Sequence, residues 1–387
     1  PSTMRIGDAA VMDSAGLDAL LTTLAKLGYE SKGPVVRDGA IMPGPVHGIA
    51  DLPVGAHDVQ APGRYHLEQG DDHAVFGWAV GPGSWKAEFF PPTQELWRST
   101  VSDDGVTTEV PDRETAPLAI VGARPCELAG LAVLDRVLLN GAYPDPRYAA
   151  RRMGTFVVVA ECGSPAATCF CTSMDTGPGA ESGFDLALTE LDDDGGHRFV
   201  VRIGSETGAE VLAHVAVSEP TEADLMARDR VLSSAGNAID RRLETDGLAD
   251  LLARNLEHPR WDEVAERCLA CGNCTLVCPT CFCSDVSDTT DLAGGIRRQR
   301  TWASCFDLGH SYLHGGPVRS STPSLYRQWL THKLSTWWDQ FDTSGCVGCG
   351  RCIAWCPVGI DLTEEAAAIR FTDGSVGAAT TPAGQDP

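Results

Sequence analysis

The sequence predicts an α+β fold in two parts, an N-terminal α/β domain and a helical C-terminal domain rich in cysteine. Three observations carry that prediction. Residues 117–160 read as strand, helix, strand, at a length that suits a parallel βαβ unit. Residues 221–267 and 322–341 read as helices. Six cysteines then fall within residues 268–283, "CLACGNCTLVCPTCFC", and four more lie between 346 and 356. The expected division is 1–217 for the α/β domain and 218–371 for the helical one. Residues 372–387 form a tail poor in apolar residues and expected to be disordered.

Taken in order, Ser14 is placed to cap a helix with Leu17, Leu20, Leu21, Leu24 and Leu27 on one face, stopped by Gly28. Residues 30–115 are punctuated by Gly and Pro. Strand-like runs such as "GRYHLEQ" and "HAVFGWAV" occur there, but the pattern assigns no topology. "PLAIVGA" (117–123) is short, apolar and followed by turn chemistry, which predicts a buried strand. "ELAGLAVLDRVLLN" (127–140) repeats Leu128, Leu131, Leu134 and Leu138 at helical spacing. "TFVVVA" (155–160) is β-branched through its centre and predicts the second strand. Residues 184–204 predict a hairpin about an Asp/Gly turn. In 322–341, Pro323 sits where a first helical turn tolerates it.

Composition narrows the function. The chain has 387 residues, 43% of them hydrophobic, and is long enough for two or three cores. Its formal net charge of −23 repels phosphate backbones and anionic lipid, so neither nucleic acid nor a membrane surface is an expected partner. No apolar stretch approaches the ~20 residues of a membrane span. The opening residues show no basic segment followed by an apolar one, so a cytoplasmic location is expected. Grouped cysteines in a reducing compartment bind metal or do redox chemistry, and a count of fifteen is odd, which suits disulfide pairing badly.

Cys268, Cys271, Cys274 and Cys278 form C-x2-C-x2-C-x3-C, followed by Pro279. Cys346, Cys349, Cys352 and Cys356 repeat it, followed by Pro357. Two-residue gaps let three thiolates converge on one face of a cubane, and in two-cluster ferredoxins the fourth ligates the other cluster. The pattern therefore predicts a ferredoxin-like module of two [4Fe-4S] clusters. Cys268, Cys271, Cys274 and Cys356 are expected on the first, and Cys278, Cys346, Cys349 and Cys352 on the second. Structural zinc is the bland alternative. It usually takes two C-x2-C knuckles rather than a three-cysteine comb with a closing C-P. Residues 279–345 are an insertion between the combs, which loop-closure entropy tolerates.

A third [4Fe-4S] site is expected in the α/β domain. Cys126 and Cys162 follow the C-terminal ends of the two parallel strands, the edge at which open sheets place ligands. Cys126 also falls at a helix N-terminus, which favours a thiolate. Cys169 and Cys171 follow in the next loop. Either Cys126 or Cys162 alone reads as an ordinary buried thiol; with "CFC" nearby the cluster is the better reading. Cys281, Cys283 and Cys305 are left over. They predict either a further site with a non-cysteine ligand such as Asp307 or His310, or alternative ligands, to Cys278 in particular.

Other chemistry is missing. There is no G-x-G-x-x-G after a strand and no G-x-x-x-x-G-K-[ST]. No C-x2-C pair stands near each end, as a NiFe site requires. His310, His314 and His332 follow no ligand spacing and read as structural. "RRQR" (297–300) reads as a solvated face. No catalytic residue is expected, and the clusters are the sole expected cofactors, at least two and, on the full cysteine count, three or more.

"RPCELAGL", "CGSPAATCFCTSM", "CLACGNCTLVCPTCFC", "WASCF" and "CVGCGRCIAWCP" together resemble the β subunit of soluble sulfhydrogenases, the NAD(P)-linked NiFe hydrogenases, over roughly residues 75–365. The same landmarks occur in the iron–sulfur relay chain of anaerobic sulfite reductase; "GPGSWK" and "YRQWLTHKL" tilt the likeness toward the hydrogenase branch. The family commonly has Asp where this chain has Glu127. The resemblance implies an electron-transfer subunit of a multi-subunit oxidoreductase. Its partners would be a flavin subunit binding NAD(P) and the hydrogenase small and large subunits. The equivalent relay of a sulfite or sulfur reductase is the alternative, and a zinc-stabilised interaction scaffold is the alternative of another class.

Overall fold

The strand–helix–strand unit expected at 117–160 lies at the centre of a seven-stranded mixed sheet. In the computed structural model residues 4–111 and 117–373 are described. Their main strands are β1 (Ala9–Met12), β2 (Glu30–Arg37), β3 (Ala40–Pro45), β4 (Ala56–Ala61), β5 (Arg64–Gln69), β6 (Thr93–Ser102), β7 (Gly105–Glu109), β8 (Leu118–Ala123), β9 (Phe156–Ala160), β10 (Leu186–Asp193), β11 (Gly196–Ile203), β12 (Ser284–Thr290) and β13 (Gly295–Trp302). The large sheet runs β1-β11-β10-β9-β8-β2-β3. β2, β8, β9 and β10 are parallel, and β1, β11 and β3 pair antiparallel at the two sides.

Both faces are covered, which is why β8 and β9 are buried at almost every position. Leu17, Leu20, Leu21 and Leu24 of the helix Ser14–Lys26 are 0–1% exposed, against one face. Burying each such side chain contributes about 1.5–3 kcal/mol. Two details of that helix differ from expectation. Asp13, not Ser14, is the cap: its carboxylate accepts from Gly16 N, one residue earlier than the Ser14 reading. Leu27 falls beyond the last turn and is 51% exposed. On the other face the helix Pro125–Leu138 buries Leu128, Leu131 and Leu134, while Leu138 is half-buried.

"GRYHLEQ" contains β5, but "HAVFGWAV" is not a strand. Side chains, not a neighbouring strand, satisfy its backbone. Glu190 accepts from Val75 N and Phe76 N, Asp58 accepts from Ala79 N, and the buried Arg124 guanidinium donates to the carbonyls of Phe76, Trp78 and Ala79. Arg124 also donates to Ala160 O and Glu161 O at the end of β9, so one residue fastens this loop over the edge where the cysteines gather.

The second half is helical. Leu248–Arg254, Arg260–Ala265, Thr322–Thr331 and Leu362–Thr372 pack around Leu251, Trp261, Trp329, Leu330 and Ile369, while Glu222–Ala238 lies against β10 and β11 of the large sheet and Trp337 of the helix Trp337–Phe341 packs with the Cys126 group. It also carries a hairpin the sequence did not suggest. β12 and β13 pair with β6 and β7 in a four-stranded sheet ordered β12-β13-β6-β7, which takes strands from both sides of the expected 217/218 division. "RRQR" lies on β13, where Arg297, Arg298 and Arg300 pair with Glu95, Asp288 and Asp145. Of the tail expected to be disordered, Thr372 closes the last helix, Asp373 follows it, and 374–387 lie outside the described residues. No helix among the described residues is long and apolar enough to cross a membrane.

Candidate metal centres

The two cysteine combs share one backbone shape. Ala270 (φ 51°) and Gly272 (φ 71°) have positive φ in the first comb, and Gly348 (φ 66°) and Gly350 (φ 73°) occupy the same places in the second. Each second member caps a one-turn helix, Asn273–Leu276 or Arg351–Ala354. The two short helices meet, with Asn273 Nδ2 donating to Trp355 O at 2.7 Å. Backbone amides are turned onto the outer sulfurs. Ala270 N donates to Cys268 Sγ at 3.4 Å, Gly348 N to Cys346 Sγ at 3.5 Å, and Ile360 N to Cys356 Sγ at 3.3 Å. Such donors stabilise anionic sulfur and help set cluster potentials.

The sulfurs gather crosswise. Burial first, then the sulfurs of Cys305, Cys268, Cys356 and Cys271, push the Cys274 thiol well above its ordinary range. Cys268, Cys271, Cys274 and Cys356, with Cys352, line a cavity of about 410 Å³ of atom-free space, part of it open to solvent, walled by Phe306, Tyr326, Trp329 and Ile360. Cys352 is likewise raised by burial, then by Cys346, Cys349 and Cys278. Cys271, beside the exposed Leu269 and Val358, is the exposed thiol of the first set.

The α/β cysteines come together at the carboxyl edge of β8 and β9. Cys169 is raised by burial, then by Cys162 and Cys171; Cys126 is raised by burial, then by Cys349 and Cys171. For Cys126, burial outweighs the helix N-terminus that the sequence reading credited with favouring a thiolate. The Cys126 group touches the second comb. Phe170 N donates to Gly348 O at 2.8 Å, and the Cys169 thiol lies 4.0 Å from Cys349 O. The glycines at 348 and 350 are needed there. A Cβ on Gly348 would stand 2.6 Å from Phe170 O, and one on Gly350 2.3 Å from Thr168 O.

Cys281 stands against Cys278, and Cys305 stands against both Cys283 and Cys274 of the first set. The Cys278 sulfur accepts from the Cys281 thiol and is held well below its ordinary range by that bond, against burial, with help from Lys333 and Thr280. Cys283 and Cys305 are neighbours through Ala303 N, which donates to Cys283 O at 2.9 Å. Of the two suggested non-cysteine ligands, Asp307 is near Cys305 but its carboxylate accepts from Ser304 N at 2.7 Å, and His310 is exposed in the turn Leu308–Ser311.

Sequence reasoning missed the cations. Lys333 and Lys86 are each 2% exposed and stand against the Cys278–Cys283 segment. Arg351, 1% exposed, lies beside Cys349 and Cys126 and is paired with Glu127. One signal was available for Lys333: it interrupts the apolar stripe Leu325, Trp329, Leu330, Leu334, Trp337.

The donor set fits iron–sulfur cubanes. Buried thiols that raise one another's pKa become thiolates only beside strong positive charge, which a cluster's iron supplies. Among the described residues no three His, Cys, Asp or Glu side chains stand close enough to hold a single ion.

Residues 267–360 match the family described as a 4Fe-4S dicluster domain. The chain is 36% identical over 245 residues to the sulfhydrogenase 2 subunit beta of Pyrococcus furiosus, across 62% of this chain and 71% of that one. No solved structure matches the chain.

Proposed function

Because the chain belongs to the family of sulfhydrogenase β subunits, we propose that it relays electrons, one at a time, between a flavin subunit that binds NAD(P) and the small and large subunits of a cytoplasmic NiFe hydrogenase. Cys268, Cys271, Cys274 and Cys356 hold one [4Fe-4S] cluster, and Cys278, Cys346, Cys349 and Cys352 the second. Cys126, Cys162, Cys169 and Cys171 hold a third. When bound, the clusters supply one-electron redox chemistry without making or breaking substrate bonds.

One observation carries this reading: the three cysteine sets are contiguous. Cys352 faces both ferredoxin-type sets, and the 348–350 loop lies against the 168–171 loop. The chain's own residues do the rest. Amides and buried cations stabilise anionic sulfur, and Phe306, Tyr326 and Trp329 wall the inner side of the first set. The exposed edge at Leu269, Cys271 and Val358 is where a partner's redox centre approaches. The chain converts no substrate of its own; it conducts.

The test is anaerobic purification of the native complex with iron, sulfide, zinc, nickel and flavin analysis and EPR of the reduced protein. Three cubanes require about twelve iron atoms on this chain, and Cys126→Ser should remove about four of them. Zinc in place of iron would end the relay reading in favour of a scaffold. Co-purification with a siroheme protein would move the relay to a sulfite reductase.

A further inference from the structure

Lys333 lies in a single π-helical turn, His332–Thr336, between the helices Thr322–Thr331 and Trp337–Phe341. Such turns concentrate at functional sites. Its ammonium donates to Cys278 Sγ at 3.2 Å, Thr280 Oγ1 at 3.2 Å, Cys281 Sγ at 3.5 Å and Gly345 O at 3.0 Å. Its nearest side-chain partners are the sulfurs of Cys278 and Cys281 and the Thr280 hydroxyl. Among the described residues no ion pair joins it to a carboxylate. A second buried lysine, Lys86, donates to Cys281 O at 3.1 Å and stands 3.8 Å from the Trp302 ring centroid.

The other buried cations differ. Arg351, which stands between Cys349 of this same set and Cys126, is matched by Glu127 at 2.5 Å. Arg267, next to Cys268 in sequence, is matched by Glu365 at 2.5 Å, and the first set is otherwise walled by aromatic and aliphatic side chains. Burying a cation without a carboxylate costs several kcal/mol unless other negative charge offsets it. A cation so placed stabilises any further negative charge that arrives.

We propose that Lys333, assisted by Lys86, makes the centre at Cys278 the more easily reduced of the ferredoxin-type pair, so that electrons rest there between the exposed Cys271 edge and the Cys126 set. The proposal rests on the relay reading above. Each electron that reduces this centre leaves a reduced flavin or iron–sulfur centre of a partner, which is oxidised by one electron. The electron moves on to the next centre, and no bond or proton changes hands.

The test is an EPR-monitored redox titration of the full chain, assembled with its clusters under anaerobic conditions, as wild type, Lys333→Met, Lys333→Arg and Lys86→Met. Lys333→Met should lower one midpoint and leave the others in place. The drop should reach a tenfold change in the one-electron equilibrium, about 59 mV. Lys333→Arg should restore most of it, and Lys86→Met should lower the same midpoint by less. Unmoved midpoints at full iron content overturn the proposal, as does an equal shift of every centre. If Lys333→Met takes up less iron, Lys86→Met decides, and an unmoved midpoint there overturns it. A wild-type chain without iron would instead overturn the relay reading, so the two failures are distinguishable.

Discussion

Arg351 Nη2 donates to Glu127 Oε1 at 2.5 Å with both side chains buried, and this pair ties the second cysteine comb to the helix that carries Cys126. Arg351 also donates to Gly81 O at 2.8 Å and Gly83 O at 3.1 Å. Removing one partner strands the other. Arg351→Met should destabilise the chain by about 3–5 kcal/mol, and the double change Arg351→Met with Glu127→Leu should recover much of it. Unfolding midpoints of the two single variants and the double variant check this; fully additive losses would contradict the coupling.

The proposed crossed ligation has its own signature. Cys268→Ser and Cys356→Ser should erase the same EPR signal, although the residues lie in different combs. Cys346→Ser and Cys278→Ser should erase the other. If Cys278→Ser leaves both signals while Cys281→Ser removes one, Cys281 is the ligand and the crossed assignment fails at that position.

Gly348 carries a steric prediction. Its φ of 66° and the 2.7 Å approach of an added Cβ to Cys171 Cα make Gly348→Ala strained twice over. The variant should perturb the signals of the second comb and of the Cys126 set together while sparing the first. A change confined to the second comb would mean that the two loops do not communicate.

Acid should expose the capping of the helix Glu222–Ala238. The Thr221 hydroxyl and the Arg198 guanidinium hold the Asp224 carboxyl down to about 2, from an ordinary value of 3.8. A depressed folded pKa stabilises the fold above the unfolded value and is lost as pH falls through the folded one. The stability gap between wild type and Asp224→Asn should therefore be constant above about pH 4.5 and shrink by about pH 2, as read from urea midpoints of the helical signal. A gap that stays constant with pH would show that the charge is not the cause.

The two cysteine combs were legible because their spacing is local: a C-x2-C-x2-C comb is written in one loop, and its shape needs only a few residues with positive φ. The βαβ unit was legible for the same reason, since β8, β9 and the helix between them show their periodicity within one stretch. "HAVFGWAV" misled because its alternation is that of a strand while Arg124, Asp58 and Glu190, all distant in sequence, take its backbone groups. The hairpin β12–β13 was hidden in a polar segment that pairs with β6 instead of burying a face.

By itself, then, the sequence determined where the thiols stand and how they are spaced, and that residues 267–360 carry a dicluster pattern. Tertiary structure alone decided which set touches which, and where charge is buried among them. Thr168 and Gly350 stand far apart along the chain, as do Cys278 and Lys333, and no local pattern encodes their meeting. The physical reason is reach: ligand geometry is set by bonds within a loop, whereas the field at a buried sulfur is summed over every group the fold brings near it.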